Sequence, residues 1–182
     1  MSRLSVYPQN LPEQPNKVLC HADDIARTLA AVGVEFAQQP IPAAIAPGIA
    51  AAGLNAACAD LIEPLLAQGY RLDELLDTQA AEYSTAALGE RFAAEFYLAN
   101  EHISLFLAGH GQVSLHLAEH VYVVLCERGD RLTLPAGTRH WIDFGEPANA
   151  LLIRLNKPAQ DGAIQRTGDA IAQQFPGLEE WR

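Results

Sequence analysis

Residues 115–145 read LHLAEHVYVVLCERGDRLTLPAGTRHWIDFG, and this stretch decides the fold. VYVVLCE is an uninterrupted, mostly apolar run rich in β-branched residues, which is typical of a buried strand. Arg128, Gly129 and Asp130 form a turn signal before RLTLP, and the PAGTR segment supplies the next turn. Closely spaced strands joined by glycine turns predict a small antiparallel barrel or jelly roll.

The segments on either side extend this pattern. HISLFLAGHGQVSLHL, residues 102–117, predicts a hairpin with its turn at 108–111, and NALLIRL predicts a last barrel strand. Towards the amino terminus the apolar residues change to helical spacing, which predicts helices near residues 22–36, 49–68, 72–76 and 85–93. Near the carboxyl terminus, TGDAIAQQFP predicts a short capped helix.

These elements predict one domain over residues 1–182, of mainly β class with helices. Residues 1–90 form a mostly helical amino-terminal layer, residues 91–157 the barrel core, and residues 158–182 a carboxyl-terminal segment with a short helix. A chain of this length with nearly half its residues hydrophobic can bury a sizeable core.

Composition restricts the partners and the compartment. The net charge of −10 offers no basic stripe for phosphates, so we expect no nucleic acid. No uncharged apolar run of about 18 residues is present, so we expect no membrane partner. Three scattered cysteines, Cys20, Cys58 and Cys126, favour reduced thiols and a cytoplasmic location. An apolar barrel strand could pair with the same strand of another copy of the chain, so a homodimer is an open alternative.

The candidate site lies on the strand that contains EFYLANEHISLF, residues 95–106. Alternate residues of a regular strand share one face, so Phe96, Leu98, His102 and Ser104 would point into the barrel together. His140, after the PAGTR turn, would meet them from a later strand. An apolar pocket with two histidines is a poor cage for a divalent ion, since tight sites need three or four ligands.

The sequence resembles the bacterial acireductone dioxygenases, which are cupins with a double-stranded β-helix, or jelly-roll, barrel. The resemblance rests on MSRLSVYPQN and EQPNKVL near the start, on residues 115–145, and on QRTGDAIAQQFPGLEE near the end. It covers most of the chain. It implies a cupin barrel preceded by an amino-terminal helical layer.

The family's metal ligands are two histidines and a glutamate on the first strand and a third histidine on a later one. Carried over without a gap, the first two histidines fall on Phe96 and Leu98, and the glutamate falls on His102. The third histidine is retained as His140, and the family's basic residue becomes Ser104. A shift of about six residues, which aligns Glu101 and His102 with the family's Glu-His pair, still breaks the ligand set.

The resemblance also implies a wall for a small-molecule ligand. Phe92 and Arg154 match the family pattern for the pocket wall and a second arginine, and a wall aromatic appears here as Ile142. With Phe96, Leu98 and Ser104, these residues are the predicted substrate-binding set. His102 and His140 are the predicted catalytic pair, which could move protons in a dry pocket.

We therefore expect no cofactor and no metal ligands, although weak metal binding through His102 and His140 stays open. The leading expectation is a cupin with a degenerate metal site, repurposed to bind a small molecule or to convert it by metal-independent proton transfer, as an isomerase or lyase would. Two alternatives are a metal-dependent acireductone-type dioxygenase with a rearranged site and a non-catalytic binding protein. Fold alone does not choose between them.

Overall fold

The computed structural model describes residues 1–46, 51–81, 83–158 and 163–181. Three α-helices lie in these ranges: α1 (Ala22–Ala30), α2 (Ala51–Ala67) and α3 (Thr85–Phe92). Two short 3₁₀ helices cover Ile171–Gln174 and Leu178–Trp181. The strands are β1 (Arg3–Pro8), β2 (Lys17–Leu19), β3 (Glu35–Gln38), β4 (Arg71–Asp77), β5 (Phe96–Tyr97), β6 (His102–Leu117), β7 (His120–Glu127), β8 (Asp130–Leu134), β9 (Arg139–Asp143), β10 (Ala150–Asn156) and β11 (Gln165–Arg166).

Two antiparallel sheets share the long strand β6. The first part of β6 lies between β10 and β8, and this sheet continues outward to β4 and β3. The second part lies between β9 and β7, and this sheet continues to β5 and β11 on one side and to β1 and β2 on the other. The predicted antiparallel barrel is confirmed.

The hairpin predicted at residues 108–111 is wrong, because β6 runs through this region without reversing. Gly109 has a φ of +69°, and a Cβ there would lie 1.8 Å from the carbonyl oxygen of Asn149. The next amide, of His110, donates to that same carbonyl at 3.0 Å. A glycine with positive φ serves a bend as well as a turn, so the local sequence does not distinguish them.

The main core fills the space between the two sheets. It is built from inward-facing residues such as Phe106, Val124 and Leu132, and α1 contributes Ile25 and Leu29. Full burial of each such side chain contributes roughly 1.5–3 kcal/mol to folding. A second apolar cluster lies on the outer face of β6 and β10, where α2 covers it.

The amino-terminal half differs from the expected helical layer, because it contains four strands besides its helices. The helix predicted near residues 72–76 is strand β4, whose Leu76 pairs with Leu152 of β10. RLDELLD has too few apolar residues to distinguish the alternation of a strand from the spacing of a helix. The pairing with β10 makes this segment a strand. The helix near 49–68 forms from residue 51, while 49 and 50 lie outside the described residues. The domain limits stay a prediction.

Among the described residues, no helix combines the length and the apolar character needed to cross a membrane.

Candidate functional site

His102 and His140 meet inside the barrel. His102 opens β6, His140 lies on β9, and their ring centroids are 5.2 Å apart with the planes inclined at 29°. The two residues are only 1% and 2% exposed. Phe96 pairs with His140 between β5 and β9, and its ring centroid lies 4.2 Å from the imidazole.

Each histidine uses its Nδ1–H in a backbone hydrogen bond. His140 donates to the carbonyl of Thr138 at 2.8 Å, and His102 donates to the carbonyl of Asn100 at 3.3 Å. A neutral imidazole has one N–H, so each Nε2 is left with a free lone pair. No hydrogen bond from the described residues reaches either Nε2. Metal-binding histidines have this same arrangement, because the backbone bond fixes the tautomer and the ring orientation.

Both imidazoles are neutral at pH 7. The pKa of His102 is lowered to about 4, mainly by burial and to a smaller extent by the positive charge of Arg154, while the hydrogen bond to Asn100 opposes both. Burial lowers the pKa of His140 to about 3, with His102 and Arg154 acting in the same direction and the bond to Thr138 opposing them. A general acid works best with a pKa near the working pH, so both rings suit ligation better than proton shuttling.

We expect the stability of the metal-free protein to decrease in acid because of this pair. An unfolded histidine has a pKa of about 6.5. From there down to pH 4 the unfolded chain binds protons that the folded chain does not. The free energy of unfolding therefore falls as the pH falls, by up to about 1.4 kcal/mol per pH unit for each histidine. Above about pH 6.5 neither the folded nor the unfolded chain binds these protons, so the pair no longer lowers the free energy of unfolding.

Urea unfolding from about pH 4.5 to 7.5 measures this effect. The His102→Leu/His140→Leu variant should lose the slope that the pair supplies, while titration of the remaining groups cancels in the comparison. Equal slopes in the two proteins would contradict the prediction.

The predicted pocket wall lies around the two histidines. Phe92, Phe96 and Ile142 belong to the main core, and Leu98 is buried in the segment before β6. Ser104 of β6 is paired with Arg154 of β10. The structure therefore places the predicted wall on elements that surround the imidazoles: α3, β5, β6, β9 and β10. Their role in substrate binding stays a prediction.

Arg154 is held by two carboxylates. Its Nε donates to Asp73 Oδ2 at 2.9 Å, and its Nη2 donates to Glu74 Oε2 at 2.7 Å. Arg91 also forms an ion pair with Glu74. Burial alone would raise the pKa of Glu74, but the hydrogen bond from Arg91 and the charges of both arginines hold it below its usual value. Arg154 thus keeps a fixed position and a fixed charge near the histidines.

A third protein ligand beside the two imidazoles is missing from the described residues. One group of three metal-ligating side chains is present there, namely Glu95, His116 and Asp169, and it includes neither barrel histidine. The barrel interior therefore offers a divalent ion two neutral imidazole nitrogens, and water or substrate would have to fill the other coordination positions.

Comparison with known proteins decides the family. The model of the ARD/ARD′ family matches residues 70–162. The acireductone dioxygenase of Pseudomonas aeruginosa strain UCBPP-PA14 is 43% identical over 99% of this chain and 100% of its own length. The chain belongs to the acireductone dioxygenase family. Another curated family member, from Stutzerimonas stutzeri strain A1501, is 40% identical over the same shares of the two chains.

A solved structure supports the cupin fold of this family member. An acireductone dioxygenase from Bacillus anthracis, with a cadmium ion in its active center, matches with a TM-score of 0.72 and 16% identity. The match covers 87% of this chain and 94% of the other. The fold class predicted from the sequence is confirmed.

The expectation that this family member has no cofactor is wrong. The active center of the Bacillus anthracis relative holds a metal, and the curated relatives are named acireductone dioxygenases. This chain also gathers three metal-ligating side chains. The replacement of two histidines by Phe96 and Leu98 does not by itself imply the loss of the metal, since two neutral imidazoles remain at His102 and His140.

The sequence gives no sign that Glu95, His116 and Asp169 form a group. Their spacing along the chain contains no ligand signature, since they come from three segments that only the folded chain brings together.

Proposed function

We propose that this chain is a metal-dependent dioxygenase of the acireductone type, with the metal held by His102 and His140. The observation that carries the proposal is the pair of neutral, buried imidazoles, each with its Nδ1–H bonded to a carbonyl and its Nε2 free. The curated relatives supply the reaction class, because they are named acireductone dioxygenases.

The metal, when bound, would act as a Lewis acid towards the oxygen atoms of the enediolate substrate. The contribution of the chain begins with orientation. Thr138 and Asn100 hold the two rings through backbone carbonyls, so the tautomer and the orientation of each ring are set before an ion binds. The low pKa values also mean that protons do not compete for these nitrogens at neutral pH.

The apolar residues of the pocket wall would exclude water from the substrate, and Arg154 adds a positive charge near it. Phe92, Phe96 and Ile142 are apolar and buried, so a substrate placed among them would be shielded from solvent. The charge of Arg154 reaches both histidines, as its effect on their pKa values indicates. We propose that this charge attracts the anionic enediolate without direct transfer of a proton.

Metal reconstitution with an oxygen-uptake assay tests the proposal. Chelator-treated protein is loaded in turn with iron(II), nickel(II), cobalt(II) and manganese(II), desalted, and mixed with acireductone under air. We expect consumption of dioxygen and acireductone with at least one of these ions, and loss of both activities when a chelator is added. Protein that retains an ion but consumes no dioxygen above the rate of free metal would overturn the proposal.

Magnesium is the matched control ion. It prefers oxygen ligands in octahedral geometry, so two imidazoles should not retain it through desalting. Equal activity with magnesium would mean that the barrel histidines are not the ligands.

A further inference from the structure

Glu95, His116 and Asp169 lie on the opposite side of the sheet from the barrel histidines. Val113 and Leu115 of β6 point into the main core, so the alternate residues Gln112 and His116 point outward. Gln112 donates to the carbonyl of Pro176 in the carboxyl-terminal segment. The cluster is therefore distinct from the site assigned to the dioxygenase reaction.

We propose that these three residues form a second metal site, which takes a divalent transition ion of the zinc class. One ligand atom from each side chain lies within 4.8 Å of the others. The side chains of Glu95 and His116 are 0% and 8% exposed, whereas Asp169 is exposed. One imidazole and two carboxylates leave room for a fourth ligand from solvent, as in open zinc sites.

The charge around Glu95 favours a cation. A fully buried carboxylate is costly unless a positive charge or several hydrogen bonds compensate it. Among the described residues, Glu95 is contacted through its side chain by His116 at 2.5 Å and by the hydroxyl of Thr167 at 2.5 Å. Asp169 adds a second carboxylate to the group. Arg139, the partner of His116 in β9, makes no described ion pair with either acid.

The hydrogen bonds of His116 are compatible with an ion bound at its Nδ1 atom. Its Nδ1 faces Glu95 Oε1, and its Nε2 faces Gln9 Oε1 at 3.0 Å. Without a metal, the ring can donate to both oxygens only if it carries an N–H on each nitrogen. An ion bound to Nδ1 takes the place of the Nδ1 proton, and the remaining N–H, on Nε2, still donates to Gln9. Such an outer hydrogen bond is what a metal-bound histidine usually makes.

The adjustment needed to admit an ion is small. Two ligand atoms at zinc distances in tetrahedral geometry are about 3.3 Å apart, whereas Nδ1 of His116 and Oε1 of Glu95 are 2.5 Å apart. Separating them by less than an ångström and turning the exposed Asp169 inward completes the three-ligand set. Because Glu95 precedes β5, His116 lies on β6 and Asp169 follows β11, the ion would fasten the carboxyl-terminal segment to the barrel.

Zinc titration of the His140→Leu protein tests the proposal, because this variant removes a ligand from the barrel site. We expect one zinc per chain to remain after desalting, and a cobalt(II) spectrum of tetrahedral type. Asp169→Asn, placed in the same background, should weaken zinc binding roughly a hundredfold. The amide oxygen that this change introduces can still accept from Ile171 N, as Asp169 Oδ1 does now, so the fold is kept.

Asp143→Asn is the matched control, because Asp143 also caps backbone amides, at Gly145 and Leu178, outside the cluster. It should leave zinc affinity unchanged. The proposal is overturned if the His140→Leu protein holds no zinc, or if Asp169→Asn and Asp143→Asn bind zinc equally. Neither result affects the dioxygenase proposal, which rests on His102 and His140 and is tested by oxygen uptake.

Discussion

His140→Leu and His102→Leu should each abolish metal-dependent dioxygen consumption, with a loss in kcat/KM of roughly a thousandfold or more. Either change leaves one imidazole in the barrel, and a single nitrogen cannot hold a divalent ion against water. Leucine suits both positions, because the neighbouring wall is apolar and the replaced rings are buried. The variants should therefore fold, with a moderately lower thermal midpoint at pH 7, because each loses the hydrogen bond to the carbonyl of Thr138 or Asn100.

The measurement pairs oxygen uptake with metal content after desalting. His120→Leu serves as the control, since His120 is half-buried and lines a surface depression with Pro8 and Glu119. It should retain full metal content and turnover. Unchanged turnover in His140→Leu would show that the barrel is not the catalytic centre.

Phe96→His should raise metal affinity in the barrel on the order of a hundredfold, equivalent to about 2.7 kcal/mol. The resemblance places the family's first histidine at Phe96, and the ring of Phe96 already lies 4.2 Å from that of His140. A third imidazole there converts a two-ligand site into the three-ligand arrangement of open catalytic metal sites. Adding Leu98→His to the same chain should raise the affinity further.

Competition with a coloured chelator, in an Asp169→Asn background that weakens the outer site equally in every variant, compares the metal affinities of the barrel. Phe92→His is the control, because Phe92 is equally buried but packs against Phe96 and Phe144 rather than against a histidine. Phe92→His should leave the metal affinity of the barrel unchanged. If Phe96→His binds no better than Phe92→His, the ligand nitrogens of His102 and His140 do not face residue 96.

The barrel strands could be predicted because their sequence signals are local. VYVVLCE and NALLIRL combine β-branched and aliphatic residues over the length of a strand, and the structure places β7 and β10 there. Helix α3 could be predicted for a similar reason, because its signals are local too: the Ser84 hydroxyl caps the helix by accepting a hydrogen bond from the amide of Ala87. The bend at Gly109 could not, because its cause is a carbonyl from Asn149 on a distant loop.

The candidate site was predictable in part. The chemical identity of residues 96 and 98 excludes them as ligands in any fold, and His140 stands out through the resemblance. The cofactor expectation was wrong because it counted missing ligands and gave too little weight to the remaining pair. The state of that pair depends on burial and on Arg154, which no local pattern reveals.

The sequence by itself determined the strand-forming segments, the family resemblance and the set of side chains available for chemistry, because each of these depends on residue type and short spacing. Only the tertiary structure decided that His102 and His140 meet as neutral rings with free nitrogens. It alone also brought Glu95, His116 and Asp169 together on the outer face. Distances between segments far apart in the chain, and the desolvation that sets a pKa, arise from packing rather than from local sequence.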